Sequence, residues 1–413
     1  MATHPPLPTP PHPVARSAGA RPSRQRRRRV SDFAIWWREI DRPLLLLALL
    51  LMAVGAAAVA ASSPASARRL SVGNQRLGDL HFFYLHLKWQ AAGLLALFGG
   101  SVLSKERARR LGILLAAAML VGLMLVPIVG GEINGARRWL NIGVSIQPSA
   151  FMMPGFSIAM AWVMSWRARD PNLPVMAMSL GAFALVAALL MIEPDFGSTM
   201  LFCAVWLALM LLSGLSIRRL MLVGLGGFAA VAATYLFYAN ARHRIDAFIG
   251  GGTAYDQVDL ARRTLLAGGW TGSGLWLGVR KLSLPEAHTD YIFSVIGEEF
   301  GLLACGVVVL LYLAVAVRVL MRLVEEEDLF TVLAAAGLAT QICSQAFINI
   351  LVNLQLFPSK GLPLPLISYG GSSTVAMCLT FGLLLAITRR NPFIKRERPK
   401  MRDVGMRAVG GGS

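Results

Sequence analysis

The sequence predicts an all-α polytopic membrane protein of ten transmembrane helices, with one large periplasmic loop between helices 7 and 8. Three observations carry this expectation. The chain has 413 residues, of which 55% are hydrophobic. Charged residues make up 15% of it, against ~25% in a soluble domain. The apolar residues gather in runs of about 20, the length that crosses a bilayer core. These runs do not alternate with period 2, which argues against a transmembrane barrel.

Taken in order, residues 1–43 are rich in Pro, Ala and Arg and lack an apolar core, so they are expected to form a disordered cytoplasmic tail and not a cleaved signal peptide. Apolar runs follow near 44–62, 81–101, 111–128, 149–166, 174–192, 198–214, 219–238, 290–318, 329–354 and 365–388. The second is the weakest, because "HFFYLHLKWQ" puts His81, His86 and Lys88 in its first turns. Basic clusters precede the first run, sit at Ser104–Arg110, Arg167–Asp170, Ile217–Leu220 and Arg318–Arg322, and follow the last run in a second basic tail, 389–413. These are alternate connections, as the positive-inside rule requires of ten spans with both termini cytoplasmic.

The net charge is +18. Residues 1–42 hold nine Arg against three acids, and residues 389–413 hold eight Lys and Arg against two, so the tails account for twelve of the eighteen charges. Basic flanks of this kind mark the cytoplasmic face, where anionic membrane lipid attracts them. No aromatic–basic interleaving accompanies them, and nucleic acid is not an expected partner. Cys203, Cys305, Cys343 and Cys378 all lie in apolar runs without metal-ligand spacing, so neither disulfides nor zinc are expected.

The other five connections then face outward: 63–80, 129–148, 193–197, 239–289 and 355–364. The fourth runs to about 50 residues, far beyond an ordinary connection, and reads as functional. It holds "ARHRIDAF", a candidate amphipathic helix "YDQVDLARRTLLAGG" and a Gly/Trp-rich run "GGWTGSGLWLGVRKL". No internal repeat or pair of matching halves is visible, which weighs against an alternating-access transporter.

The outward loops also hold the residues that could do chemistry. In "LPEAHTDYIFSVIGEEFG", Thr289 or Asp290 is a natural N-cap for the next helix. Asp290 is equally a candidate general base, since a charge at a span mouth is by default a site. Glu286 and His288 crowd it, and nearby carboxylates push a pKa upward. Glu298 and Glu299 stand about 12–14 Å further along the helix axis, off Asp290's face, and one or both are expected to pair with another helix. Arg137 and Arg138 in "NGARRW" break the charge rule. They are either solvated or forks for phosphate oxygens. Trp139 is an interface-belt aromatic or a stacking platform for a sugar. Arg242, Arg244 and Lys360 add further cations. Pro363, Pro365, Gly370 and Gly371 around Ser368 predict a rigid turn and a broken start to the last span. Asp195 in "EPDFGST" is an N-cap or a functional acid. Cations at the rim of a hydrophobic body suit a ligand with a multiply negative head and a lipid tail, such as a polyprenyl diphosphate.

The motifs "NGARRWLNIG…QPS", "EPDFGST", "PEAHTDYIFSVIGEEFG" and "KGLPLPLISYGGSS" together resemble the SEDS family (shape, elongation, division and sporulation) over about residues 44–388. The form of "PEAHTD" and "PSKGL" and the long basic N-terminal tail are more similar to the division branch than to the elongation branch. The resemblance implies a peptidoglycan glycosyltransferase that polymerises lipid II during cell division, in the bacterial inner membrane at the septum. It implies Asp290 as the catalytic base, and it leads us to expect Arg137, Arg138, Trp139, Arg242, Arg244, Lys360 and Ser368 around the diphosphate and sugars. Glu286, His288 and Asp195 would support them. It implies a class B penicillin-binding protein and other divisome proteins as partners. No protein metal site is readable, and a divalent cation, Mg or Mn, would belong with the diphosphate. The family usually has Glu after "QPS", where this chain has Ala150. Two competing functions are a lipid II flippase and a non-catalytic divisome scaffold. The near absence of charge in mid-membrane favours surface chemistry over a flippase.

Overall fold

The computed structural model describes residues 32–71, 76–133, 136–141, 143, 145–168, 170, 172–214, 225–227, 235–236, 242, 246, 257–358 and 361–390. The helices are α1 (Asp32–Glu39), α2 (Arg42–Leu70), α3 (His81–Val102), α4 (Lys105–Val129), α5 (Pro148–Ser165), α6 (Val175–Ile192), α7 (Phe196–Leu212), α8 (Gln257–Ala267), α9 (Ile292–Leu323), α10 (Leu329–Asn353) and α11 (Ser372–Ile387). Among the described residues, α2–α7 and α9–α11 occupy nine of the ten expected spans, while most of 219–238 lies outside those residues. Five of them (α2, α4, α6, α9 and α10) are by length and composition alone apolar enough to cross a membrane. The weak signal of α3 has a physical reason. Gln90 donates to the Met52 carbonyl at 2.8 Å and lies 2.9 Å from His86 Nε2, so these two polar residues face the bundle interior, while Lys88 is exposed.

The two ends of the bundle sort as the basic clusters require. At the basic end, Asp41 caps α2 and is buried between Arg318 at 2.9 Å and Arg322 at 2.5 Å on α9. There too Arg389 pairs with Glu39 at 2.8 Å, and Arg390 pairs with Glu325. At the opposite end the outward connections are tied down by hydrogen bonds. Ser63 Oγ donates to the Asp79 carbonyl at 2.7 Å, Arg69 to the Ser283 carbonyl at 3.1 Å, and the Gln147 amide to Ser372 Oγ at 3.3 Å.

Four local features differ from the sequence expectation. Residues 32–39, within the tail expected to be disordered, form α1, and its Trp36 indole donates to Ser101 Oγ at 3.2 Å. Most of both tails lies outside the described residues. The loop 129–148 contains a three-stranded antiparallel sheet, β1 (Gly131–Ile133), β2 (Ala136–Asn141) and β3 (Ser145–Ile146). Its sequence signal is the Asn-Gly pair between two short runs, with Ile133 opposite Ala136. The last span begins at Ser372 instead of 365, and residues 361–371 run irregularly before it, the broken start that Pro363, Pro365, Gly370 and Gly371 predict.

The fourth feature is a break in α9 at Gly301, whose φ of 84° and ψ of 173° are not helical. The segment after α8 crosses at the break and supplies the lost hydrogen bonds. The Ser273 and Gly274 amides donate to the Glu298 and Glu299 carbonyls, and the Leu302 and Leu303 amides donate to the Gly269 and Trp270 carbonyls. A Cβ on Gly301 would lie 2.3 Å from the Trp270 carbonyl oxygen, so both the left-handed φ and the close crossing require glycine there.

Candidate active site

Residues 285–291 form turns ahead of α9, and Tyr291 holds the helix cap position instead of Thr289 or Asp290. Part of the capping comes from α10, where Asn353 Oδ1 accepts from the Ser294 amide at 3.1 Å and from its hydroxyl at 2.7 Å.

The tripeptide His288–Thr289–Asp290 is held by its backbone. The His288 carbonyl accepts from the Tyr369 amide at 3.0 Å. The Thr289 carbonyl accepts from Ser368 Oγ at 2.6 Å. The Asp290 carbonyl accepts from Asn349 Nδ2 at 2.8 Å and Asn353 Nδ2 at 3.2 Å. Three consecutive carbonyls are thus fixed by α10 and by the irregular segment before α11. That segment is itself pinned. The carbonyls of Leu362, Pro363 and Pro365 accept from Asn349 at 2.7 Å, Gln345 at 2.8 Å and the Tyr312 hydroxyl at 2.6 Å. Irregular backbone at membrane depth persists only when its polar groups are satisfied in this way. Asn349 and Asn353 were not singled out in the sequence. Their signal is a row of amides at i, i+4 spacing, Gln341, Gln345, Asn349 and Asn353, along one face of the helix.

Asp290 itself is half-buried, and a Cβ placed on Gly361 would lie 3.2 Å from its Oδ2. Gly361 and Leu362 also wall a cavity between α5, α7, α10 and α11, which Ala150, Gln147, Gln341 and Gln345 line. All the described lining residues are uncharged. Glu193, the buried acid of the α6–α7 turn, is not among them, so no described carboxylate takes the place of the Glu that the family usually has at position 150.

The expected site residues do not all come together. His288 is buried, with its ring 4.3 Å from Phe82 and 5.4 Å from Tyr369. Burial lowers its pKa to about 4, against the opposing pull of Glu286, so the ring is a neutral packing element and not a cation. Glu286 is exposed, with a φ of 51°, and accepts from the Thr289 hydroxyl at 2.8 Å. Ser368, expected to meet substrate, spends its hydroxyl on the Thr289 carbonyl and the Leu364 amide. Asp195 caps α7, accepting from the Ser198 amide at 3.1 Å and hydroxyl at 2.6 Å.

The two arginines of β2 part company, since neighbours on a strand point to opposite faces. Arg137 is exposed. Arg138 turns inward, donates to the carbonyls of Glu193 (3.3 Å) and Pro194, and lies 4.0 Å from Asp195. It is therefore a lock on the α6–α7 turn, where a diphosphate ligand was expected. Trp139, also on β2, is half-buried. Arg242 is exposed and donates to the carbonyls of Tyr235 and Leu236. Arg244 and Lys360 lie outside the described residues. Asp195 Oδ1 is 3.8 Å from a Cβ placed on Gly197, itself 3.4 Å from Leu362 Cγ. The α6–α7 turn that Arg138 locks thus packs against Leu362, next to the Gly361 that stands beside Asp290. Among the described residues no group of three or more His, Cys, Asp and Glu is placed to hold a metal ion.

Glu193 lies in the same turn, 2% exposed, and both its carboxylate oxygens lack hydrogen-bond partners among the described residues. Burial and then the Asp195 charge raise its pKa to about 8, against the pull of Arg138. A carboxyl whose folded pKa is raised stabilises least when ionised, so its contribution falls as pH rises from about 4.5 to about 8. Glu193→Gln is expected to melt like the parent near pH 4.5 and several degrees above it at pH 9. Thermal unfolding in detergent across that range checks this.

Glu298 and Glu299 do not pair with another helix. Glu298 accepts from the Arg280 amide at 2.7 Å and the Lys281 amide at 2.9 Å. Glu299 accepts from the Trp276 and Gly278 amides and pairs with Lys281, whose ammonium also donates to the Ala61 carbonyl at 2.9 Å. Both acids hold the long loop against α9, and Lys281 and Trp276 tie that loop to α2.

The profile of the FtsW, RodA and SpoVE group, described as "Cell cycle protein", matches residues 42–392. The chain belongs to this family. It is 35% identical over 362 residues to a probable peptidoglycan glycosyltransferase FtsW of Caulobacter vibrioides, covering 87% of this chain and 91% of that one. To the protein of the same name from Xanthomonas oryzae it is 36% identical over 342 residues, covering 78% and 70%. Its fold matches a chain from a peptidoglycan synthase complex that coordinates polymerization and crosslinking, with a TM-score of 0.70 and 27% identity over 84% of this chain and 97% of that one. It also matches the rod shape determining protein RodA of Thermus thermophilus, with a TM-score of 0.63 and 27% identity over 85% and 97%. Like them, it is a polytopic membrane protein of the FtsW/RodA/SpoVE family.

Proposed function

We propose that the chain is a peptidoglycan glycosyltransferase that polymerises lipid II in the inner membrane at the division septum, with both termini cytoplasmic. The supporting observation is the carbonyl clamp, which fixes Asp290 beside Gly361 at the loop end of the bundle. Asp290 takes the proton from the 4-hydroxyl of the acceptor GlcNAc. The freed oxygen attacks C1 of the donor MurNAc, the bond from C1 to the diphosphate oxygen breaks, and undecaprenyl diphosphate leaves. An α-linked donor yields a β-1,4 bond, so one displacement and one base suffice. Charge accumulates on the leaving diphosphate, where fixed cations act most strongly. Arg137, Arg242, Arg244 and Lys360 fill that role, and Arg138 holds the hairpin that carries Arg137. A divalent cation would be held by the diphosphate oxygens, where it would offset the charge of the leaving group. A class B penicillin-binding protein crosslinks the product, within a larger set of divisome proteins.

The test is purified protein with lipid II, alone and with the candidate transpeptidase, comparing wild type with Asp290→Asn. Glycan strands from wild type only support the reading. Translocation of lipid II without product supports a flippase, and neither activity leaves a scaffold. Asn349 offers a second check through the clamp. Asn349→Ala is expected to lower kcat on the order of ten- to a hundredfold while KM changes little, because it displaces the base without touching the cations. A thermal melt run alongside separates this from unfolding.

A further inference from the structure

Between α8 and residue 283 the loop exposes a run of large apolar side chains. Trp270 is 71% exposed, Trp276 53%, and Leu277 and Val279 70% each, with Leu275 beside them. A contiguous apolar patch of this kind marks a contact surface. Its height along the bundle identifies what it touches. Trp276 Nε1 donates to the Ala60 carbonyl at 3.1 Å, and Lys281 Nζ donates to the Ala61 carbonyl. Ala60 stands about 29 Å along α2 from Asp41, at ~1.5 Å per residue. The crossing at Gly301 stands about 26 Å along α9 from Arg318, by the same rise. Asp41 and Arg318 form one ion-pair layer at the basic end. Two helices thus put the patch one hydrocarbon thickness, ~30 Å, from that layer.

We propose that the segment Trp270–Val279 is seated in the lipid–water boundary at the loop end of the bundle, and that membrane lipid covers it. On the orientation proposed above, that is the outer leaflet. The local chemistry fits the boundary. Two tryptophans stand at the level of the aromatic belt. Non-helical backbone enters a bilayer only with its amides satisfied, and here the carboxylates of Glu298 and Glu299 take the amides of Trp276, Gly278, Arg280 and Lys281. The Trp276 indole N–H is spent on Ala60, which leaves the ring's apolar body outward. Arg280, exposed at the edge, can reach headgroup phosphate with its stem along the apolar surface. This accounts for both acids of "GEEFG" without assigning them to catalysis.

The test is site-directed spin labelling of the full chain in phosphatidylglycerol/phosphatidylethanolamine vesicles, on a cysteine-free background. Labels go at Leu277→Cys and Val279→Cys, with Leu310→Cys on the exposed face of α9 as lipid reference and Ser145→Cys in the hairpin as water reference. The ratio of oxygen to nickel-complex collision rates is expected to be several-fold higher at 277 and 279 than at 145, approaching that at 310. A ratio equal to that at 145 overturns the proposal, because the patch then faces water. Low collision rates with both reagents also overturn it, because protein then covers the patch. Should the cysteine-free chain not fold, brominated lipid gives the same reading in the native sequence. Quenching that falls in Trp270→Phe and Trp276→Phe supports the proposal, and quenching unchanged in both overturns it.

Discussion

Asp290→Asn is expected to abolish lipid II polymerisation, with a loss on the order of a hundred- to ten-thousandfold in kcat, the range of a single general base. The substitution is nearly isosteric. The backbone carbonyl of residue 290 remains bonded to Asn349 and Asn353, so the turn keeps its position. The candidate diphosphate cations lie on other elements, so KM for lipid II should change little. The loss is then in the chemical step, where an amide cannot accept the acceptor's hydroxyl proton. Asp290→Glu should restore only part of the rate, because Gly361 already stands close to the carboxylate and leaves little room for a longer arm. Glycan product from Asp290→Asn at the wild-type rate would falsify the assignment of Asp290 as the base. Single-turnover assays with purified lipid II separate the chemical step from binding and product release.

Lys281→Ala is expected to cost about 3–5 kcal/mol of stability, the range for removing one partner of a buried ion pair. The side chains of Lys281 and Glu299 are 3% and 0% exposed. Without the ammonium, the Glu299 carboxylate stays buried with only the Trp276 and Gly278 amides to hold its charge. The Ala61 carbonyl also loses its donor from the loop. The double variant Lys281→Met, Glu299→Gln should recover part of the loss, since it removes both charges and its carboxamide oxygen still accepts from one of the two loop amides. Chemical denaturation or thermal melting of the single and double variants measures the coupling. An additive double variant would mean that the pair is not energetically linked. The effect on activity should follow the loop, because the turn carrying Asp290 begins four residues after Lys281.

The sequence by itself determined the class of the protein and the order of the nine spans seen among the described residues. Runs of about 20 apolar residues fix span length, and basic clusters at alternate connections fix their alternation. Both are local signals, and the Asp41, Arg318 and Arg389 contacts at one end agree with them. The motifs also pointed to Asp290, since a carboxylate at a span mouth stands out against apolar neighbours. Only the tertiary structure decided what each polar side chain is bonded to. Arg137 and Arg138 read alike as a pair, yet strand alternation exposes one and turns the other onto the Glu193–Pro194 carbonyls. Ser368, Asn349 and Asn353 serve backbone carbonyls that lie far away in sequence, up to 79 residues for the bond from Ser368 to Thr289. Glu298 and Glu299 find their partners in a loop of the same chain because α9 breaks at Gly301. Such pairings come from the meeting of distant segments, where hydrogen-bond demand is settled atom by atom, and no periodicity or composition along the chain records them.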